Sequence, residues 1–308
     1  MDKLIAILET ALPVFLALGL GMICRKTGFL DRKGIDTLKK VVINLTLPAV
    51  LLNAFATAEY SAGTLVLPVL VYVLCCVALG LGFLLCRLFR VKGRLAPFVA
   101  SGFEAGMLGY ALFALLFPQE SASKFAILDL GQTLFVFTLF KILLSGKRDF
   151  KAIGKDMLHT PILWAVLAGV LIGATGLFGL LQKAGFAGVL TGTADFVSAP
   201  TAMIILLTVG FDLVPKEIPW KKTAGLIALR LVVMAVVLGV TVALNRTVLG
   251  GRIFEGAMVL MCILPPPYVI PVFADEPGER VQISSALSAL TLLTMVRFAA
   301  YAVILGIQ

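Results

Sequence analysis

Two short stretches, each set inside a long apolar run, decide how this chain folds. Residues 264–271 read Leu-Pro-Pro-Pro-Tyr-Val-Ile-Pro, and residues 102–110 read Gly-Phe-Glu-Ala-Gly-Met-Leu-Gly-Tyr. A proline lacks the N–H group of the helical hydrogen bond and clashes with the carbonyl four residues earlier, so three in a row end an α-helix. Clustered glycines make a helix easy to open. Both apolar runs are therefore predicted to contain a break.

The composition around these stretches is that of a protein that crosses a membrane many times. Of 308 residues, 60% are hydrophobic and only 14% are charged, whereas a soluble domain of this length needs far more polar surface. The net charge of +9 lies in short loops between apolar runs, where membrane topology explains it better than a nucleic acid does. We therefore expect the lipid bilayer as a partner, and no nucleic acid.

Apolar runs of about 20 residues, the length that crosses a bilayer, predict the membrane spans. We place ten spans, at residues 4–24, 40–57, 64–87, 95–117, 123–145, 160–181, 195–213, 223–245, 253–273 and 281–305. The two breaks fall in the fourth and the ninth span. In hydrocarbon a broken helix is tolerated only where its freed backbone groups are buried in protein or line a wet cavity. The breaks therefore indicate a site inside the protein.

Lysine and arginine are unevenly shared between the two sides of the membrane. Most of them follow the odd-numbered spans, and the longest of these connections covers about residues 146–159. The other side carries only Lys3, Lys124, Lys183, Arg246 and Arg252. Because positively charged loops stay in the cytoplasm, both termini are predicted to be extracytoplasmic, with the chain in the inner (plasma) membrane of the cell.

The two halves of the chain repeat one pattern. The second and seventh spans carry Leu47-Pro48-Ala49 and Ala199-Pro200-Thr201, and the fourth and ninth spans carry the breaks. Five spans per half is an odd number, so the halves 1–150 and 151–308 must have opposite orientations. We expect an all-α polytopic membrane protein built as an inverted five-plus-five repeat, an architecture that gives alternating access.

The break in the fourth span supplies the first candidate site. Opening the helix near its glycines frees backbone N–H groups at the start of a half-helix, and this positive end of the helix dipole suits an anion. A close packing surface between helices is the simpler explanation of the same glycines. A buried carboxylate is costly in hydrocarbon, so we expect Glu104 to bind a proton, a cation or a basic partner. The predicted binding residues are Glu104, Ala105, Gly106, Met107, Gly109 and Tyr110.

The break in the ninth span supplies complementary groups. Pro265, Pro266 and Pro267 leave several carbonyls without donors, and Tyr268 adds a hydroxyl. Together these oxygens can coordinate a cation or hold a substrate hydroxyl. A simple kink, or a loop at the membrane surface, is the alternative explanation.

Polar side chains on neighbouring spans complete the predicted site. Some share one helix face, where they either line a cavity or bond to neighbouring helices. The predicted wall residues are Asn44, Pro48 and Thr201. The predicted residues for coupling to a proton or sodium are Glu104, Asp129, Gln132, Ser285 and Ser288. We expect no other cofactor and no resident metal.

Three cations remain within the predicted spans. Lys141 and Arg230 are close enough to the cytoplasmic side for their side chains to reach the membrane surface. Arg297 lies deeper, so we expect it to pair with a buried acid or to attract an anionic substrate. The sequence contains no G-x-x-x-x-G-K-[ST], HExxH or G-x-S-x-G motif, which excludes ATP-driven transport within this chain and leaves little basis for an enzyme.

In their order and spacing these motifs resemble the auxin efflux carrier family, which includes bacterial malonate- and malate-type permeases. Residues 12–15 (Leu-Pro-Val-Phe), 44–49 (Asn-Leu-Thr-Leu-Pro-Ala) and 104–111 are similar to motifs of its first half. The family's crossover asparagine is Glu104 here, and its crossover proline is Ala111. A fixed carboxylate repels an anion unless it is protonated or paired, so Glu104 indicates proton coupling or a substrate with a cationic group.

The resemblance implies a fold similar to that of the bile-acid/sodium symporters, with broken helices 4 and 9 crossing at mid-membrane. Helices 3–5 and 8–10 would form a mobile domain, and the remaining helices a scaffold that is often a dimer interface. It also implies small organic-acid substrates (mono- or dicarboxylates, auxin-like acids), elevator-type alternating access and a homodimer. A sodium symporter of the same fold and a membrane sensor that moves no ligand are the alternatives.

Overall fold

The chain folds into α-helices, as a computed structural model shows. The model describes residues 2–145, 158–214, 218–274 and 276–307, and these residues contain no β-strand. Seven helices within them are long and apolar enough to cross a membrane. The helices Pro161–Ala174 and Leu177–Lys183 pass the same test only as a pair, bent by 68°, and make an eighth candidate if the pair is one span. A polytopic all-α membrane protein is thus confirmed, whereas the ten-span inverted repeat stays a prediction. The boundary predicted at 150/151, and most of the connection 146–159, lie outside the described residues.

The first three spans are formed as follows. Helix α1 covers Asp2–Thr27. The second span joins α2 (Arg32–Val41), a π-helical turn (Val42–Thr46) and α3 (Leu47–Ala56), and α4 covers Ala62–Leu88. The proline of the second span follows directly after the π-helical turn, inside a helix that runs from Arg32 to Ala56.

The fourth span is broken as predicted. A 3-10 turn (Ala96–Ala100) is followed by irregular residues 101–104, and a π-helical turn (Ala105–Gly109) then leads into α5 (Tyr110–Leu116). The fifth span joins, without interruption, α6 at Ser123–Phe135, a π-helical turn at Val136–Phe140 and α7 at Lys141–Ser145.

The second half begins with the bent pair α8 (Pro161–Ala174) and α9 (Leu177–Lys183). Helices α10 (Ala187–Ser198) and α11 (Thr201–Asp212) follow, separated at Pro200. The remaining elements are α12 at Trp220–Thr247, α13 at Glu255–Ile263, a 3-10 turn at Ile270–Phe273 and α14 at Pro277–Ile307. The predicted ninth span is therefore a nine-residue helix, an irregular segment and a short turn.

The helices pack in two groups. In the first group α1 packs along α11, and α3 packs along α8 and α10. In the second group α4 packs along α6 and the turn Ala96–Ala100, and α12 packs along α4, α13 and α14. The groups touch where α1 meets α14 and where α5 meets α11.

Glycine allows the closest helix contacts inside each group. A Cβ atom on Gly21 of α1 would lie 2.6 Å from the Phe211 nitrogen of α11, and one on Gly131 of α6 would lie 2.8 Å from the Pro68 carbonyl carbon of α4. Real Cβ atoms do not approach so closely, so only glycine fits at these positions. Small residues at such contacts let helix backbones approach, which is how helices associate in lipid.

Candidate functional site

The two breaks meet in the interior of the second group. The Glu104 N–H donates to the Pro265 carbonyl over 2.9 Å. A Cβ atom on Gly102 would lie 2.9 Å from Pro267 Cγ, and the φ of Gly102 is +69°, in the left-handed region that glycine tolerates. Residues 102–104 and 265–267 therefore run directly against each other. We call residues 101–105 and 264–268 the crossing.

The carboxylate of Glu104 bonds to both broken segments. Its Oε1 accepts from the Met107 N–H over 3.3 Å, at the start of the helix that continues into α5. Its Oε2 accepts from the Tyr268 N–H over 2.7 Å. Backbone N–H groups at a helix start favour a negative charge, so Glu104 is held by amides rather than by the basic partner that the sequence left open.

Two arginines donate hydrogen bonds to backbone carbonyls at the C-terminal ends of the helical segments that lead into the breaks. Arg230 of α12 is fully buried, and it donates to the Leu264 carbonyl over 3.1 Å and to the Val99 carbonyl over 3.4 Å. Arg297 of α14 donates to the Ile263 carbonyl over 2.7 Å. The prediction that Arg230 reaches the membrane surface is wrong, because carbonyls freed by the breaks hold its guanidinium inside.

Gln132 and Asp129 occupy neighbouring positions on α6 and make different contacts. Gln132 donates to the Phe103 carbonyl over 2.7 Å and accepts from the Phe103 N–H over 3.4 Å. It thus replaces the helical hydrogen bonds that Phe103 lacks. Asp129 is buried, and its Oδ2 accepts from the Tyr110 hydroxyl over 3.0 Å.

Two cavities lie between the two helix groups, and we name each after a tyrosine on its wall, Tyr268 or Tyr110. The Tyr268 cavity has a volume of about 410 Å³. It is lined, among others, by Arg32, Lys39, Met107, Asp212, Tyr268 and Ser288. The Tyr110 cavity has a volume of about 350 Å³. It is lined, among others, by Asn53, Tyr110, Phe117, Glu120, Asp195 and Thr201.

Charged side chains line both cavities. In the Tyr268 cavity the Asp212 carboxylate binds both Arg32 and Lys39, each over 2.5 Å, and Arg32 also pairs with Asp36 over 3.5 Å, so these four charges balance. In the Tyr110 cavity Asn53 donates to Asp195 over 2.9 Å.

Comparison with known proteins identifies the class of protein that carries this crossing. Residues 6–155, about half of the chain, match the family model described as "Membrane transport protein". The chain belongs to this transporter family. The match confirms the auxin efflux carrier resemblance at the level of the family, whereas the malonate- and malate-type branch stays a prediction.

Two archaeal relatives of the transporter are similar along much of their length. A protein of Methanothermobacter thermautotrophicus, described as an uncharacterized transporter, is 27% identical over 309 residues, which cover 96% of this chain and 98% of the relative. A protein of Methanocaldococcus jannaschii with the same description is 26% identical over 233 residues, which cover 72% and 73%. Both descriptions favour transport rather than catalysis.

Apart from Tyr110, Asp129 and Gln132, whose contacts are given above, the predicted site residues of the transporter fall into three sets. Glu104, Met107 and Tyr268 come together at the crossing, where the Tyr268 hydroxyl bonds to Thr291 of α14 over 2.9 Å. The residues of a second set pack around the crossing and have no polar side chains. It consists of Ala105, Gly106, Gly109, Pro265, Pro266 and Pro267, all of which are buried or half-buried.

The third set lies apart from the crossing. Asn44 is exposed and donates to the Lys40 carbonyl of its own helix over 2.8 Å. Pro48 is half-buried in the first turn of α3. Thr201 lines the Tyr110 cavity, with its hydroxyl unpartnered, and Ser288 lines the Tyr268 cavity. Ser285 is half-buried beside it on α14 and does not line that cavity.

Sequence reasoning did not assign Arg230 to the crossing. The available signal was a lone arginine on a long apolar helix, with freed carbonyls predicted elsewhere in the same half. Sequence alone does not give the rotation of α12, so it does not indicate that this arginine faces the break.

Proposed function

We propose that this transporter is a secondary carrier of small organic acids, with mono- and dicarboxylates, including auxin-like acids, as its substrate class. The observation that carries the proposal is the binding of the Glu104 carboxylate by two backbone N–H groups, one from each broken segment. Donors that hold a carboxylate of the chain suit the carboxylate of a substrate equally well.

Proton coupling follows from the competition for these two donors. A protonated Glu104 accepts hydrogen bonds more weakly than the carboxylate, so a proton on Glu104 would leave the N–H groups of Met107 and Tyr268 to a substrate anion. The same proton offsets the charge of the substrate inside the membrane. Asp129 lies near enough to interact electrostatically with Glu104, and it is the second candidate proton carrier.

The movement that we propose is of the elevator type, with the second helix group carrying the crossing past the first. The positions of the two cavities support it, since each lies between the groups. One reaches Arg32, after the first span, and the other reaches Glu120, after the fourth span, which the charge bias assigns to opposite faces of the membrane. The proposal includes the inverted halves 1–150 and 151–308, helices 4 and 9 as its crossing pair, and extracytoplasmic termini in the inner membrane.

The test is uptake of labelled malonate and labelled acetate by proteoliposomes that contain the purified transporter. We expect uptake to rise as the external pH falls, and we expect Glu104→Gln to lose this pH dependence, because glutamine does not titrate. Glu59→Gln is the matched control, since Glu59 lies outside the crossing, and it should behave as the wild type. Unchanged pH dependence in Glu104→Gln would remove Glu104 from the coupling mechanism.

Two further outcomes separate the alternatives. Acids that stabilise the protein against heat without ever crossing the membrane would favour a sensor over a carrier. The homodimer is also a proposal, based on the family resemblance, and subunit counting by single-molecule photobleaching in a lipid bilayer tests it.

A further inference from the structure

Four helical ends meet at or beside the crossing, and two side chains of the chain satisfy them. The two N–H ends are bonded by Glu104. The two carbonyl ends, at Val99 and Leu264, are bonded by Arg230. The Leu264 carbonyl lies at the negative end of the nine-residue helix α13, and the Val99 carbonyl belongs to the 3-10 turn Ala96–Ala100, so both oxygens attract a positive charge.

The surroundings of Arg230 lack an acidic partner. Within the described part of the chain, no carboxylate forms an ion pair with it. The guanidinium lies over the Phe103 ring, 5.4 Å from the ring centre, and its Nε has no hydrogen-bond partner. The nearby Arg297 adds a second positive charge, at the Ile263 carbonyl. The negative ends of the helices, rather than an acid, therefore balance the charge of Arg230.

Carbonyls freed in broken membrane helices are also the usual ligands of a coupling sodium ion in secondary carriers. A guanidinium competes well with such an ion, because its planar set of N–H donors can bond to two carbonyls in different directions. It cannot dissociate, so the positive charge at the crossing is permanent.

We propose that Arg230 is a built-in cation that occupies the carbonyl ends where a coupling sodium ion would otherwise bind, so that this transporter works without sodium. The transport test of this inference rests on the proposed carrier function, whereas its binding test does not. A transporter of this kind is not a sodium symporter, which is the alternative that the sequence left open.

The binding test compares thermal unfolding of the purified full-length protein in sodium chloride and in choline chloride of equal concentration. We expect the same midpoint in both salts for the wild type. We expect Arg230→Ser, which opens the two carbonyls, to gain a saturable, sodium-specific rise of about 2 °C or more, because a ligand that binds only the folded state stabilises it. Arg246→Ser is the matched control, since it removes an exposed arginine from the last turn of the same helix, and it should respond as the wild type.

Two results would overturn the proposal. One is a sodium-specific rise in the wild type, and the other is a folded Arg230→Ser that sodium does not stabilise. If Arg230→Ser does not fold, Arg230→Gln replaces it with the same expectation, because the neutral glutamine NH2 group can bond to one carbonyl and leaves the other open. The wild-type comparison remains decisive whichever variant folds.

The transport test measures malonate uptake by proteoliposomes with external sodium or choline. Equal wild-type rates support the proposal, and a rate several-fold higher in sodium contradicts it. Absence of malonate uptake in both salts would count against the proposed substrate class alone, since the unfolding comparison tests Arg230 without any substrate.

Discussion

The fourth and ninth spans are both broken, but glycine opens one and proline opens the other, and this difference decides which side chains each break needs. In the fourth span the backbone keeps its N–H groups, and acceptors must be brought to them, as Glu104 and Gln132 are. In the ninth span the prolines supply no N–H, so carbonyls are left over and donors must be brought to them, as Arg230 and Arg297 are. Each break also receives a group of the other kind, because Arg230 donates to the Val99 carbonyl of the fourth span and Glu104 accepts from the Tyr268 N–H of the ninth.

The largest expected effect comes from closing the space between the two breaks. Gly102→Val places a β-branched side chain at a φ of +69° and against Pro267, so we expect a loss of about 4 kcal/mol in the free energy of unfolding, from backbone strain and overpacking together. Thermal unfolding in detergent measures it. Gly80→Val is the control, because a Cβ on Gly80 of α4 meets no atom within 4 Å. Equal losses in both variants would mean that the two segments do not touch at Gly102.

A smaller effect is expected at the acceptor side of the fourth-span break. Gln132→Leu leaves both the N–H and the carbonyl of Phe103 unpaired in the interior, at a cost of about 3 kcal/mol. Gln182→Leu, at an exposed position of α9, should leave the unfolding midpoint unchanged. If Gln132→Leu is as stable as the wild type, Phe103 finds other partners and the glycine break does not depend on this acceptor.

The smallest effect is expected at the donor side of the ninth-span break. Thr294 donates to the Ile263 carbonyl over 2.6 Å, and Arg297 donates to the same oxygen. Thr294→Val keeps the shape of the side chain and removes one of two donors, so we expect a loss of only about 1 kcal/mol. The double variant Thr294→Val with Arg297→Met should lose more than the sum of the single losses, as a double-mutant cycle reports. Additive losses would mean that Thr294 and Arg297 do not share the Ile263 carbonyl.

The breaks themselves were predictable from the sequence, because they follow from local backbone chemistry. Three consecutive prolines end a helix in any surroundings, and the glycines around Glu104 lower the cost of opening one. The apolar composition likewise fixed the class of protein, since a bilayer demands long apolar runs. The family match then confirmed a resemblance that rested on motif order and spacing.

The partners of the breaks were not predictable in the same way. Gln132 was expected to serve coupling, and the structure gives its amide to Phe103. Asn44 was expected in the cavity wall, and it bonds to its own helix instead. Both outcomes depend on how a helix is rotated about its axis, which an almost uniformly apolar span leaves undetermined.

Sequence alone determined that two helices of this transporter must break, one at clustered glycines and the other at consecutive prolines. Only the tertiary structure decided that the breaks meet, with Glu104 on the N–H ends and Arg230 on the carbonyl ends. The physical reason is that backbone breaks are local, set by the residues at the break. Burying a charge depends on long-range packing, because it is tolerated only where oppositely charged helix ends come together.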